Sequence, residues 1–165
     1  MQKFVISLLV DNVPGVLSRI SGLFSRRAYN IESITAGVTA NPRITRLTIV
    51  SSGDEQVLEQ IVSQLDKQVD VRSIKVLQPD NSVVHELILV KIMADENQRE
   101  KLITIANIFR AKIVDVQKDC LMLELTGSQE KLTAFLEMCS TYKIAELART
   151  GLAGLARGSE DIRYF

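Results

Sequence analysis

The sequence predicts an α+β protein built from two tandem ferredoxin-like βαββαβ units, each a four-stranded antiparallel sheet with two helices on one face. Three observations support this fold class. The chain has 165 residues, enough for two small units. It is 46% hydrophobic and 24% charged, so it can fill a core. The spacing of apolar residues alternates between strand-like and helix-like in the same order twice.

The first strand and helix of the first unit follow from local patterning. The segment "KFVISLLV" is rich in branched apolar residues, which favours a strand. Pro14 suits the first position of the next helix, where its missing N–H costs nothing. The residues that form the apolar stripe of this helix are Val16, Leu17, Ile20, Leu23 and Phe24.

A hairpin, a second helix and a closing strand complete the first unit. The segments "NIESITAGVT" and "RITRLTIVSS" both alternate, and Asn41-Pro42 between them is typical of a turn. Asp54 is placed to cap a helix. The segment "VDVRSIKVL" then closes the unit as a strand.

The second unit repeats this order after "QPDNS", a polar segment that we interpret as a linker. The segment "ELILVKIM" predicts a strand, and Asp95 with Gln98 predicts a capping box for the helix that follows. The segments "AKIVDV" and "CLMLELTG" predict a strand pair. Ser128 is placed to cap the last helix, and "KIAELART" predicts the last strand.

These patterns place one domain in residues 1–78, a second in residues 83–158 and a tail in residues 159–165. The last fifteen residues, "GLAGLARGSEDIRYF", are glycine-rich and then polar, so we expect them to be loosely held. Units of about 75 residues are marginally stable alone. We therefore expect dimerisation through sheet edges or open sheet faces.

Composition excludes several classes of partner. The formal net charge is zero, which provides no general attraction to nucleic acid or to an anionic membrane. No apolar run approaches the ~20 residues that a membrane span needs. The two cysteines, Cys120 and Cys139, form no CxxC motif and fit a reduced, cytoplasmic protein.

The residues of the inner strands and of the loop after the first strand distinguish between the functions that ferredoxin-like folds perform. An RNA-binding unit would need aromatic side chains on its inner strands, and these strands offer only Phe4. A metal chaperone of this fold would carry CxxC in the loop, and "DNVPG" has no cysteine. An acylphosphatase-like enzyme would need an arginine there, and no arginine occurs between Lys3 and Arg19.

The same loop is suited to a ligand with a carboxylate. Gly15 has no Cβ where a ligand would approach the backbone. The N–H groups of Gly15 and Val16 would point out of the helix N-terminus, which favours an anion. Asn12 could bond the polar head of the ligand through its side-chain amide. Taken alone, Asn12 could equally cap the helix or form a local turn, and Asn30 alone is an ordinary helix-ending residue.

The stretch "DNVPGVLSRISGLFSRRAYNIESI" resembles the signature of the ACT domain, in which a P-G-x-L turn and helix precede an N-I strand. The segments "GLFSRRAYNIESITAG", "RLTIV", "VLEQIVSQLDKQVDV" and "ARTGLAGLARG" extend the likeness. Together they resemble the small regulatory subunit of acetohydroxyacid (acetolactate) synthase. The resemblance covers nearly the whole chain and is most specific in residues 8 to 38.

This resemblance implies a protein that is not itself an enzyme. Members bind and activate a large catalytic subunit and confer feedback inhibition by valine in branched-chain amino acid biosynthesis. It implies no cofactor in this chain, and thiamine diphosphate, Mg and FAD in the catalytic partner. The effector would lie between two ACT units of a homodimer. In the dimer that the resemblance implies, Asn30 and Ile31 reach over from the partner, and Leu8 and Val38 are weaker candidates for the pocket wall. The residues that the resemblance implies for effector binding are Asn12, Gly15, Val16, Leu17, Asn30 and Ile31.

The second unit offers a comparison within the chain. Its matching loop, "MADENQ", has neither proline nor glycine, and Glu96 would repel a carboxylate. We therefore expect effector binding in the first unit only, while the second serves dimerisation or contact with the catalytic subunit. The alternative function is a free-standing ACT-domain sensor that controls another enzyme or transcription. An enzyme in its own right is disfavoured, because no constellation of catalytic side chains is evident.

Overall fold

The computed structural model describes residues 2–159 and divides them into two compact units. The first unit contains residues 2–83 and 152–159, and the second contains residues 84–151. None of the helices in residues 2–159 is long and apolar enough to cross a membrane.

The first unit has the predicted βαββαβ order. Its sheet is antiparallel, with the strand order β2-β3-β1-β4, so that β2 and β4 form the edges. A single 3-10 turn, Pro79–Asn81, follows β4. The elements are β1 (Gln2–Asp11), α1 (Val16–Arg26), β2 (Ile31–Val38), β3 (Ile44–Gly53), α2 (Glu55–Asp66) and β4 (Val71–Leu77).

The second unit repeats the order with its own antiparallel sheet, β6-β7-β5-β8, so the predicted ferredoxin-like α+β fold is confirmed for both units. Its first strand begins earlier than predicted, at Ser82, so the interpreted linker is a short turn that leads directly into the strand. The elements are β5 (Ser82–Met93), α3 (Glu96–Phe109), β6 (Lys112–Val116), β7 (Cys120–Gly127), α4 (Gln129–Met138) and β8 (Lys143–Arg149).

Three of the four α-helices begin at the predicted caps. The Asp54 carboxylate accepts a hydrogen bond of 2.9 Å from the Val57 N–H. Asp95 and Gln98 form the complete capping box at α3. The Ser128 hydroxyl accepts a hydrogen bond from the first turn of α4. These ends follow from local chemistry, because each cap bonds only to residues three positions away.

The start of α1 differs from the prediction. The helix begins at Val16 with Gly15 as its N-cap, so Pro14 lies in the turn before the helix and its expected place at the first helical position is wrong. The chain closes this turn through a long bond of 3.4 Å from the Val16 N–H to the Val13 carbonyl. Gly15 has φ 83°, a left-handed conformation that its missing Cβ allows at little cost.

Each unit has its own apolar core between one sheet face and two helices. In the first unit, alternate residues of β1 point to the helices. In the second, alternate residues of β5 and β7 do the same, and Cys139 belongs to the buried cluster. The β1 and β3 members of the first core are Phe4, Ile6, Leu8, Val10, Leu47 and Ile49.

The C-terminal segment is more ordered than expected. Residues Ala153–Ala156 form a ninth strand, β9, which pairs with β5, and Leu152 is buried. The Arg157 N–H donates to the Asn81 carbonyl at 2.9 Å. The expected loose tail is therefore wrong for residues 151 to 157.

The segment from Leu152 groups with the first unit, whereas the predicted boundaries placed it in the second. Residues 160–165 lie outside the described residues.

The two thiols should differ in reactivity. Cys139 is fully buried, and burial raises the pKa of its thiol to about 11, so little thiolate is present at pH 8. Cys120 is only partly buried. We expect a thiol reagent at pH 8 to label Cys120 in the folded protein and both thiols after denaturation. Mass spectrometry of the labelled chain measures this, with the Cys120→Ser variant as the control. Rapid labelling of Cys139 in the folded protein would contradict the core placement.

Candidate functional site

The N-terminus of α1 is open. No side chain caps it, and its first turn contains no acidic residue. Within residues 2–159 the N–H groups of Gly15, Leu17 and Ser18 donate to no acceptor, and that of Val16 makes only its long bond to Val13. The exposed donors are therefore mainly those of Gly15, Leu17 and Ser18, rather than Gly15 and Val16. Free donors at a helix N-terminus favour a bound anion.

Arg19 lies beside this turn and was not among the predicted site residues. Its Nε donates to Asp70 Oδ2 at 2.7 Å, and its Nη2 lies 2.6 Å from the same oxygen. Its remaining nitrogen, Nη1, lies 2.9 Å from the position that a Cβ on Gly15 would occupy. A side chain at position 15 would therefore contact the guanidinium. The sequence spacing is consistent with this contact, because residues 15 and 19 are one helical turn apart.

A second ion pair lies on the other side of the turn. Arg72 donates to both carboxylate oxygens of Asp11, at 2.8 and 2.6 Å. This bond and the positive charge of Arg72 lower the pKa of the Asp11 carboxyl below its usual range. The backbone of Asp11 also donates to the Asp70 carbonyl at 2.9 Å. The end of β1 is thus tied to β4 by both side-chain and backbone bonds.

Asn12 fixes the turn to the β2–β3 hairpin. Its backbone N–H donates to the Arg43 carbonyl at 2.8 Å, and its side-chain Nδ2 donates to the Pro42 carbonyl at 2.9 Å. Its Oδ1 accepts no hydrogen bond from the residues that the structure describes. Asn12 therefore does not cap the helix, and its oxygen faces no competing donor.

Asn30 and Ile31 lie at the other end of the sheet. The Asn30 carbonyl accepts a bond of 2.7 Å from the Ser51 hydroxyl, and Ile31 pairs with Ser51 and packs against the first core. The turn before α1 follows Asp11, which pairs with Ile44. Residues 44 and 51 are separated by seven positions of β3, or about 23 Å. One chain therefore brings together Asn12, Gly15, Val16 and Leu17 but not Asn30 and Ile31.

The helices leave the helix-side face of β2 uncovered. Ile34 pairs with Ile49 and Val38 with Thr45, so both point to the helix side of the sheet. Even so, they are 39% and 59% exposed. Leu17, on the first turn of α1, is 45% exposed. We call Ile34, Ala36, Val38 and Leu17 the β2 apolar surface. Leu8, by contrast, is fully buried in the core.

The matching turn of the second unit is closed. The Asp95 carboxylate accepts from the Gln98 N–H at 2.9 Å, and the Gln98 side chain accepts from the Asp95 N–H at 3.3 Å. Glu96 adds a negative charge to the first turn of α3. Among residues 2–159 no group of three or more metal-ligating side chains is assembled in either unit.

Comparison with known proteins identifies the family of both units. Residues 6–73 match the family described as "AHAS small subunit-like ACT domain", and residues 85–158 match "Small subunit of acetolactate synthase". The fold and the first of these matches together define an ACT-domain protein. The whole-chain matches narrow the class, and the chain belongs to the family of acetolactate synthase small subunits.

The matches to relatives extend over nearly the full chain. The chain is 49% identical over 159 residues to a probable acetolactate synthase small subunit of Methanothermobacter thermautotrophicus, and the match covers 96% of this chain and 95% of the relative. It is 44% identical to the isozyme 3 small subunit of Escherichia coli, covering 96% and 98%. The crystal structure of the small subunit from Thermotoga maritima superposes with a TM-score of 0.88 at 36% identity, covering 96% and 99%.

Proposed function

We propose that this chain binds and activates the large catalytic subunit of acetolactate synthase and makes that enzyme sensitive to inhibition by valine. The observation that carries the proposal is the open N-terminus of α1 beside the β2 apolar surface. This pairing of free N–H donors with exposed apolar side chains suits a small amino acid. The family membership supports the regulatory role.

In the proposed complex the valine carboxylate binds the N–H groups of Gly15, Leu17 and Ser18. Each charge-assisted hydrogen bond contributes about 1.5–3 kcal/mol, and the helix dipole adds about 0.3–1 kcal/mol. The valine ammonium donates to Asn12 Oδ1. The valine side chain lies against Leu17 and Val38, which are exposed in the single chain.

We further propose that two copies pair antiparallel through β2. If the two-fold axis passes through Thr35, Ile34 of one copy lies opposite Ala36 of the other, both on the helix side. The register shift between Ile31 and Ser33 then brings Ile31 of one copy opposite Val38 of the other. Val38 is already in register with Thr45 and Val10. Asn30 of the second copy then lies in the next row, beside the turn that begins at Asn12. This pairing would unite the two halves of the site that one chain separates.

The proposed mechanism is a shift between two arrangements of the dimer. Valine contacts both copies, so it stabilises the arrangement in which the two β2 strands hold it. A docked catalytic subunit would respond to that arrangement. A coupling free energy of about 1–3 kcal/mol changes affinity some 5- to 150-fold. We expect the chemistry to belong to the catalytic partner, with its thiamine diphosphate, Mg and FAD, and we expect both subunits to work in the cytoplasm.

Calorimetric titration of the isolated protein tests the effector site. We expect valine to bind most tightly, with leucine and isoleucine weaker, because one methylene changes binding by about 1–3 kcal/mol. We expect one site per first unit and none in the second, because α3 is capped by its own residues. Adding the purified large subunit tests the partner, since activation should appear on mixing. A chain that binds valine but never associates with a large subunit would favour a free-standing sensor.

A further inference from the structure

A cavity lies within the first unit, on the sheet face that points away from the helices. Ser7 and Leu9 alternate with core residues of β1, so they point to this opposite face. The C-terminal segment that groups with this unit provides one wall. The cavity has a volume of about 380 Å³, within the range of small-molecule sites. Its main lining residues are Ser7, Leu9, Arg46, Lys75, Leu155 and Arg157.

The described lining of this cavity is cationic. Among the residues in 2–159 that line it, Arg46, Lys75 and Arg157 are cationic and none is an Asp or Glu. Ser7 and Ser73 also line the cavity. The positive charges of Arg46 and Arg157 beside a concave volume attract an anion, because low-dielectric walls concentrate the field.

Arg46 is a cationic group of this lining whose charge no carboxylate in residues 2–159 balances. It is partly buried, and its Nη1 donates to the Ser7 hydroxyl at 2.6 Å. It forms no ion pair with any carboxylate in residues 2–159. Burial lowers the pKa of its guanidinium, because the charged form loses contact with water. Burying a charge without an opposite charge is costly, so the remaining N–H donors favour an oxyanion.

The apolar part of the lining limits the kind of anion. Leu9, Leu77 and Leu155 provide walls beside the cationic groups. A fully hydrated inorganic ion would leave these walls uncovered. A small organic acid with a compact apolar body would satisfy the guanidinium with its oxyanion and cover the leucines with its body.

We propose that this cavity binds a small organic anion, through a carboxylate or phosphate group held by Arg46 and Arg157. The site is on the sheet face opposite α1, so it is separate from the turn at Gly15. The C-terminal segment would close over the ligand through Leu155 and Arg157. A ligand here would therefore connect β9 to the strands that also carry the effector site.

Nuclear magnetic resonance titration of the full chain tests this site. The probes are inorganic phosphate and 3-methylbutanoate, a carboxylate with a branched apolar body and no ammonium group. We expect saturable shifts of the Ser7, Leu9 and Ser73 amide signals. Arg46→Gln and Arg157→Gln should each weaken binding about tenfold or more, because each removes a charge-assisted bond. Arg46→Lys keeps the charge and should retain part of the affinity.

Arg27→Gln is the matched control, because Arg27 is an exposed arginine of the same unit outside the cavity. It should leave both affinities unchanged. Stronger binding of the carboxylate identifies organic acids as the ligands, and stronger binding of phosphate identifies phosphate esters. The proposal is overturned if neither probe shifts the three signals. It is also overturned if the probes bind only after Glu160→Gln and Asp161→Asn, since the chain's own carboxylates would then be the occupants.

Discussion

Gly15→Asp is expected to abolish inhibition by valine while activation of the catalytic subunit is retained. The new carboxylate would lie beside Arg19 Nη1, which is 2.9 Å from the position of its Cβ, and near the N–H groups of Leu17 and Ser18. It would occupy the donors that the valine carboxylate needs and repel that carboxylate. Losing two charge-assisted bonds raises the required valine concentration about 100-fold or more.

The fold should tolerate this change. Residue 15 has a positive φ, a conformation that aspartate adopts more readily than most residues. The atom that its Cβ would approach is the end of a flexible side chain, which can move. The large subunit should therefore still be bound and activated, because no part of the proposed change lies in the core.

The measurement is acetolactate formation by the reconstituted holoenzyme across a range of valine concentrations. Gly22→Asp is the control, because residue 22 lies in the same helix about 10 Å further along and has no positive φ. It adds the same charge to α1 but should leave valine sensitivity unchanged. Full valine sensitivity of the Gly15→Asp holoenzyme would show that the effector binds elsewhere.

The elements that could be predicted from the sequence are those whose structure depends on residues close to them in the chain. The caps at Asp54, Asp95 and Ser128 depend on residues three positions away, and alternation defined the hairpin of the first unit. The start of α1 was misjudged by two residues, because the turn is closed by a backbone bond that has no side-chain signal. Local chemistry therefore identified the helix but not its first residue.

The parts that were not predictable depend on residues distant in sequence. Arg19 forms an ion pair with Asp70, fifty-one positions away, and no pattern in the loop indicated that pair. Residues Ala153–Ala156 form a strand although the segment is glycine-rich, so its own pattern did not indicate the strand. The prediction for the Asn12 side chain was also incomplete. Its Nδ2 donates to the Pro42 carbonyl in another turn, so only its Oδ1 is left for a ligand.

Ile34→Asp is expected to dissociate the dimer and to remove valine sensitivity in the same variant. Ile34 is 39% exposed on the helix side of the edge strand β2. In the proposed pairing it lies next to the two-fold axis, so the substitution removes two apolar side chains from one interface and places two negative charges near each other. Burial of one isoleucine contributes about 1.5–3 kcal/mol, so the dissociation constant should rise about 100-fold or more.

Valine sensitivity should be lost together with the dimer. Asn30 and Ile31 lie about 23 Å from the turn in one chain and, in the proposed pairing, reach it from a second copy. Sedimentation over a range of protein concentrations measures the first effect, and valine titration measures the second. Ile108→Asp is the control, since Ile108 is 69% exposed on α3 of the second unit. If Ile34→Asp left the dimer intact, or if Ile108→Asp dissociated it equally, the β2 edge would not be the interface. If the Ile34→Asp monomer still bound valine tightly, the site would be complete within one chain.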